Sequence, residues 1–126
     1  MKFLCLAYYD EAKMGAMPKA DLQAMVSKCP AYDKELKNTG RMLFSASLGE
    51  PAATVSIRPK SGKPPAITDG PFTEAKEMIG GFFMIEAEDI EEAKRIASHH
   101  PAAHLGEQAG WGIEVRPVGM FLDGQR

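Results

Sequence analysis

The chain has 126 residues, enough for one domain with a hydrophobic core, and we predict a single domain over residues 1–126. Apolar residues make up 44% and charged residues 25% of the sequence, the composition of an ordinary soluble protein. The formal net charge of −2 and the scattered Lys and Arg residues argue against a nucleic-acid-binding face and against an acidic membrane surface as a partner.

The two cysteines, Cys5 and Cys29, lie in apolar patterns and form no CxxC pair, so neither a zinc site nor a disulfide framework is indicated. We predict that both are reduced core thiols of a cytoplasmic protein. The apolar run from Phe3 to Tyr9 is too short for a signal peptide and far too short to span a membrane. This run is better explained as a buried first strand.

The first predicted elements are a strand and a long helix. Residues Lys2–Tyr9 are apolar on both alternating faces, which is typical of a strand in the centre of a sheet. A polar loop, Asp10–Met17, then leads to a helix that Gly40 should end as a C-terminal cap. Pro30 should kink this helix or split it in two. The predicted buried stripe consists of Leu22, Met25, Val26, Cys29, Tyr32 and Leu36.

The middle of the chain predicts a hairpin. Residues Met42–Leu48 and Ala53–Arg58 are strand-like and are joined by Gly49-Glu50-Pro51. Residues Lys60–Pro65 then predict a polar turn, and Ala66–Thr68 a short strand.

A second strongly apolar strand is predicted over Gly81–Ala87. Asp89 follows as a helix N-cap, with Glu92 at the reciprocal position of a capping box. The helix should run from Ile90 to His99 and end at Pro101.

The last predicted strand, Trp111–Met120, places Glu114 and Arg116 on one face and its apolar residues on the other. The order of elements predicts an α+β protomer of ferredoxin-like topology, with two helical segments on one face of the sheet. Strands Lys2–Tyr9 and Gly81–Ala87 are apolar on both faces, and helices can cover only one of them. We therefore predict a homodimer in which two sheets meet face to face.

A stiff corner at Asp69-Gly70-Pro71 is the first candidate for chemistry. Pro71 fixes its own backbone and biases Gly70 away from helical angles, while Phe72 should anchor the corner in the core. Asp69 can then point into a cleft, as a general base or as an acceptor for a ligand. In the alternative, its carboxylate accepts backbone N–H groups and only stiffens the turn.

Histidines are the second set of candidates. His99 and His100 end a predicted helix, where a protonated imidazole is favoured and a proton can be carried near neutral pH. Adjacent helical positions point about 100° apart, so one histidine can instead cap the helix while the other lies in solvent. With His104, Glu107 and Asp69 they match no metal-ligand spacing, so no metal site is predicted.

Three further residues are candidate ligand contacts. Glu114 and Arg116 share a strand face, where they form a structural salt bridge or where Arg116 holds a carboxylate or phosphate. Tyr8 and Tyr9 lie on opposite faces of the first strand, so one belongs to the core and the other can place its hydroxyl in the cleft.

One set of motifs extends over nearly the whole chain. Its residues are Met1-Lys2-Phe3-Leu4, Tyr8, Asp69-Gly70-Pro71-Phe72, Glu74, Lys76-Glu77, Gly81-Phe82, Asp89, Glu92-Ala93, Pro101 and Ile113 to Val118. In these residues the sequence resembles the DGPF-domain branch of the YCII-related proteins. The resemblance implies a dimeric α+β barrel with a cleft between sheet and loops. It also implies that an enzymatic role, proposed for members with a His–Asp pair, and a sigma-factor-associated regulatory role are both open. No His follows the first strand here, so that pair is not carried over, and Pro30 departs from the usual pattern.

Three functional hypotheses follow. In the first, an enzyme acts on a small organic substrate, with Asp69 as base, a histidine as proton carrier and Arg116 as anion anchor. In the second, the same cleft binds a ligand and regulates a partner without converting it. In the third, the protein is a purely structural dimer. None of them calls for a cofactor, a nucleic acid or a membrane.

Overall fold

A computed structural model describes residues 1–72 and 75–124. Thr73 and Glu74, which belong to the corner motif, lie outside the described residues. The strands are β1 (Lys2–Asp10), β2 (Met42–Ser47), β3 (Val55–Lys60), β4 (Lys63–Asp69), β5 (Glu77–Glu86) and β6 (Gly112–Pro117). The helices are α1 (Glu11–Gly15), α2 (Lys19–Val26), α3 (Cys29–Asn38) and α4 (Ile90–Ala97), and 3₁₀ turns occur at Pro51–Ala53, Pro101–Ala103 and Glu107–Ala109.

Four strands form one antiparallel sheet in the order β2-β5-β1-β6. With helices between β1 and β2 and between β5 and β6, this is the ferredoxin-like topology predicted from the sequence. The two strands predicted to be central, β1 and β5, do lie in the middle of the sheet. At the centre, Leu6 of β1 pairs with Phe82 of β5 on one side and with Glu114 of β6 on the other.

The hydrophobic core lies between one face of this sheet and the helices. Phe3, Cys5, Phe83 and Ile85 of the two central strands are fully buried there. The helices contribute few residues to it, namely Leu36, Ala93, Ile96 and Ala97. The opposite face carries alternate residues of the same strands, and apart from the buried Met84 these residues are half-buried or exposed. We call it the open face; its members are Leu4, Leu6, Phe44, Ala46, Phe82, Met84, Glu114 and Arg116.

The predicted long helix is split in two. Pro30 lies in the first turn of α3, where a missing N–H removes no helical hydrogen bond, so α2 ends before it. Gly40 follows α3 with a φ of 71°, which confirms the predicted C-terminal cap. The prediction of a loop over 10–17 was wrong in part, because Asp10 accepts a 3.0 Å hydrogen bond from Lys13 N and starts α1.

The predicted hairpin between residues 42–48 and 53–58 was wrong. Strand β2 pairs with β5, whereas β3 pairs with β4 in a separate two-stranded sheet. A 3₁₀ turn beginning at Pro51 turns the chain away after β2, and Gly62, with a φ of 66°, makes the tight turn instead. The predicted polar turn over 60–65 therefore becomes part of this β3–β4 hairpin.

The second half of the chain follows the predictions more closely. Asp89 is the N-cap of α4 and accepts a 2.8 Å bond from Glu92 N. The Glu92 carboxylate accepts from Glu88 N and from Arg41 Nη1, at 3.1 and 2.7 Å, so it ties the helix start to the segment before β2. Helix α4 ends at Ala97, before His99. Among the helices of the described ranges, none has the length and apolar character needed to cross a bilayer.

Candidate functional site

A cavity of about 970 Å³ lies between the helical layer and the sheet, beside strand β2. Residues of α1, α2 and α3 line one side and residues of β1, β2 and β5 line the other. The space remains unfilled because α2 has no buried residue and packs only loosely on the sheet. Strand β2 lies at the sheet edge and is largely exposed, so the cavity is open to solvent there.

The lining combines an aromatic wall with polar groups from distant parts of the sequence. The aromatic residues are Tyr8, Tyr9, Phe82 and Trp111. The lining side chains that can titrate are Tyr8, Tyr9, Glu11, Cys29, Asp33, Lys37, Glu50 and His100. An aromatic wall suits an organic molecule with a flat or apolar body, and the polar groups can orient it.

His100 is held in one orientation in this cavity. Its Nδ1 accepts a 3.0 Å hydrogen bond from Ala102 N, and its ring stacks on that of Phe83 with 4.8 Å between centroids and 1° between planes. Burial lowers the pKa of His100, and the charge of Asp33 only partly offsets this. The imidazole is therefore neutral near pH 7.

Asp33 is the carboxylate whose charge raises the pKa of His100. The sequence analysis did not identify it as a site residue. Cys29, Asp33 and Lys37 follow one another at four-residue intervals along α3 and all line the cavity. Burial raises the pKa of Cys29 first, and the Asp33 charge raises it further, so this thiol stays protonated. The sequence did contain an indication that Asp33 faces the cavity. It lies one helical turn after Cys29, which belongs to the predicted buried stripe.

Tyr9 forms a second polar cluster with Glu11 and Glu50. Its ring lies against Gly80 of β5, where an added Cβ would come within 3.0 Å of Tyr9 Cδ1. A side chain at position 80 would therefore displace the ring. The pKa of Tyr9 is raised by burial first and then by the charges of Glu11 and Glu50, so two carboxylates act on one phenol.

Two of the predicted site residues, Tyr8 and His100, line this cavity. His99 does not; it is half-exposed and its Nδ1 lies 3.9 Å from Glu35 Oε2.

Glu114 and Arg116 lie on the open face, away from the cavity. Arg116 Nε is 3.5 Å from Glu114 Oε1, and the side chains are 66% and 50% exposed, respectively. Such an exposed pair contributes little to stability in a single copy.

Asp69 lies at the end of the β3–β4 hairpin, exposed and outside the cavity lining. The corner after it braces the hairpin: Gly70 N donates to Thr54 O, and Ser56 Oγ donates to Gly70 O, both at 2.7 Å. Phe72 does not anchor the corner in the core, contrary to prediction. The Phe72 side chain is 55% exposed. The guanidinium carbon of Arg58 lies over the Phe72 ring, 3.8 Å from the ring centroid.

Within the described ranges 1–72 and 75–124, no group of three or more His, Cys, Asp or Glu residues is placed to hold a metal ion. The side chains that line the cavity can bind, orient and exchange protons with an organic molecule.

Comparisons with known proteins identify a family and two similar proteins. The family model for the YCII-related domain matches residues 1–118. An uncharacterised protein of Rhizobium meliloti (strain 1021) is 26% identical over 125 residues, covering 99% of this chain and 98% of that protein. Among solved structures, 5-chloro-2-hydroxyhydroquinone dehydrochlorinase from Burkholderia phenoliruptrix, in complex with 2,5-dihydroxybenzoquinone, is 19% identical with a TM-score of 0.45. That match covers 94% of each chain.

Proposed function

The chain belongs to the YCII-related family, and we propose that its cavity binds a small organic molecule on which the protein performs acid–base chemistry. One observation carries this proposal: a fixed neutral imidazole and a carboxylate, from different elements, line the same open and aromatic cavity. Groups of this kind, brought together from distant segments, are what proton transfer at a bound ligand requires.

The two groups divide the chemistry between them. Asp33 acts on His100 through its charge. A ligand hydroxyl can donate to the Asp33 carboxylate while its oxygen accepts from the imidazole. Asp33 then takes the proton, and the imidazole stabilises the negative charge that develops on oxygen. Tyr9 and Trp111 hold the body of the ligand.

The test compares two aspartates. Mass spectrometry of small molecules that co-purify with the protein identifies ligands, and incubation with them shows whether they are converted. We expect Asp33→Asn to abolish conversion while the fold, followed by circular dichroism, is kept. Conversion that is lost in Asp69→Asn and kept in Asp33→Asn would transfer the role of base to Asp69. Ligand bound in the cavity and never converted would establish a binding protein and refute the catalytic part.

We also infer that two copies pair through the open face. Leu4, Leu6 and Phe82 are only half-buried there, and Phe44 is 43% exposed and packs edge-on against Phe82 with 6.1 Å between ring centroids. A second sheet laid across this face would bury these side chains and the Glu114–Arg116 pair. The apolar face of the β3–β4 hairpin, with Val55, Ile57 and Ile67 all more than half exposed, would extend the contact.

A further inference from the structure

We infer that His100 contacts the bound molecule as a neutral hydrogen-bond donor through Nε2–H, so that the cavity selects ligands that present an acceptor oxygen. This inference rests on the proposed ligand-binding function of the cavity and names the chemistry that the ligand must carry. It differs from the role of proton carrier that the position of this histidine at a helix end predicts.

The tautomer follows from the main chain. Nδ1 accepts the N–H of Ala102 at 3.0 Å, so it holds a lone pair and no proton. A neutral imidazole with a bare Nδ1 carries its proton on Nε2. That nitrogen can donate to a ligand oxygen and cannot accept a proton from one.

The surroundings keep the ring in this state. One ring face is covered by Phe83, which is itself fully buried, and the ring edge that carries Nδ1 is occupied by the Pro101–Ala103 turn. His100 is one of the residues that line the cavity. Because Phe83 takes one ring face and the turn takes the Nδ1 edge, the other face and the Nε2 edge are what this residue can offer to a ligand. Protonating Nδ1 would break the bond to Ala102 and place a charge in an apolar setting, which burial disfavours.

The consequence for the ligand is specific. A carbonyl, hydroxyl or ether oxygen can accept from Nε2–H, whereas an ammonium group or a hydrocarbon edge cannot. Proton acceptance must then come from a carboxylate, which assigns that step to Asp33.

The first experiment observes the tautomer directly. Long-range ¹H–¹⁵N correlation spectra of protein labelled with ¹⁵N-histidine distinguish the two ring nitrogens, and a His100→Gln sample assigns the signals. We expect Nε2–H and an unprotonated Nδ1 at pH 7. An Nδ1–H tautomer or an imidazolium at that pH would overturn the inference.

The second experiment uses acetophenone, which carries one acceptor oxygen, and ethylbenzene, which has the same body without it, as probes in ligand-observed NMR titrations. We expect His100→Ala to weaken acetophenone binding about threefold to tenfold more than it weakens ethylbenzene binding, the size of one hydrogen bond, because both probes lose the same ring contact. His100→Gln should restore most of the loss, because its side-chain amide donates a hydrogen bond without acting as a base.

The outcomes separate the two ideas. If neither probe binds the wild-type protein, the proposed ligand-binding function of the cavity is wrong, and the inference falls with it. If both bind but His100→Ala weakens them equally, or His100→Gln fails to restore acetophenone binding, the cavity stands and the donor role is wrong.

Discussion

Replacing Leu6 by lysine tests the pairing of two sheets most directly. Leu6 lies at the centre of the open face, between Phe82 of β5 and Glu114 of β6, and is half-buried in the single chain. Its side chain points away from the core, so the substitution leaves the core intact. A lysine there stands across from Glu114, with which it can form a cross-strand pair, so an isolated copy should tolerate it.

The expected magnitude follows from the symmetry of the interface. Fully burying an exposed leucine contributes about 1.5 to 3 kcal/mol; Leu6 is already half-buried, so the interface gains about half of that at each copy, and a two-fold interface loses it at both copies. The free energy of association therefore weakens by about 1.5 to 3 kcal/mol, which is about tenfold to a hundredfold in the dissociation constant. Burying two ammonium groups face to face would weaken it further.

Size-exclusion chromatography with light scattering measures the result, with circular dichroism to follow the fold. The wild-type protein should be a dimer at micromolar concentration, and Leu6→Lys a folded monomer. Val26→Lys, on the exposed side of the helical layer, is the matched control and should remain a dimer. A wild-type monomer, or a Leu6→Lys dimer at the same concentration, would refute the argument.

Three smaller predictions concern stability and reactivity. Because burial holds the pKa of His100 below its ordinary 6.5, the unfolded state takes up a proton first on acidification. The free energy of unfolding should therefore fall as the pH drops below about 6.5, and denaturant titrations should show a smaller fall in His100→Gln. Burial raises the pKa of Cys5 to about 12, so iodoacetamide at mildly alkaline pH should label this thiol only after denaturation. Gly106 has a φ of 79° and an added Cβ would lie 2.2 Å from Trp111, so Gly106→Ala should lower the free energy of unfolding by about 1 to 3 kcal/mol. Gly124→Ala, which meets nothing within 4 Å, should leave the melting temperature unchanged.

The sheet was predictable where the sequence is apolar on both faces. Strands β1 and β5 satisfy that pattern and take the two central places, which leaves the edges for the less apolar β2 and β6. The partner of β2 was not predictable from neighbouring residues, because pairing with the distant β5 competes with a local hairpin. Local turn residues at 49–51 favoured the hairpin, but pairing with the apolar β5 gives β2 a place in the main sheet.

The site was predictable by residue type more than by position. Tyr8 and His100 were identified because aromatic hydroxyls and imidazoles commonly serve ligands, and both line the cavity. Asp33 was missed because most carboxylates on helices are solvent-exposed surface charges. Only the fold shows that this one lines a cavity. Asp69 lies in the corner motif, outside the cavity lining, and its role as a base remains a prediction.

The charge of the cavity narrows the choice of ligand further. Among the lining residues that the structure describes, three carry carboxylates, Glu11, Asp33 and Glu50, and one, Lys37, carries an ammonium group. An anionic ligand would therefore meet net repulsion, and Arg116, predicted as its anchor, lies outside the cavity. We expect 4-acetylbenzoate to bind about tenfold more weakly than acetophenone at low salt, a difference of the size that one nearby charge produces. Adding salt or making the Glu50→Gln substitution should narrow the gap, because both reduce the repulsion. Equal binding of the two probes, with no response to salt, would show that these carboxylates do not act on the ligand.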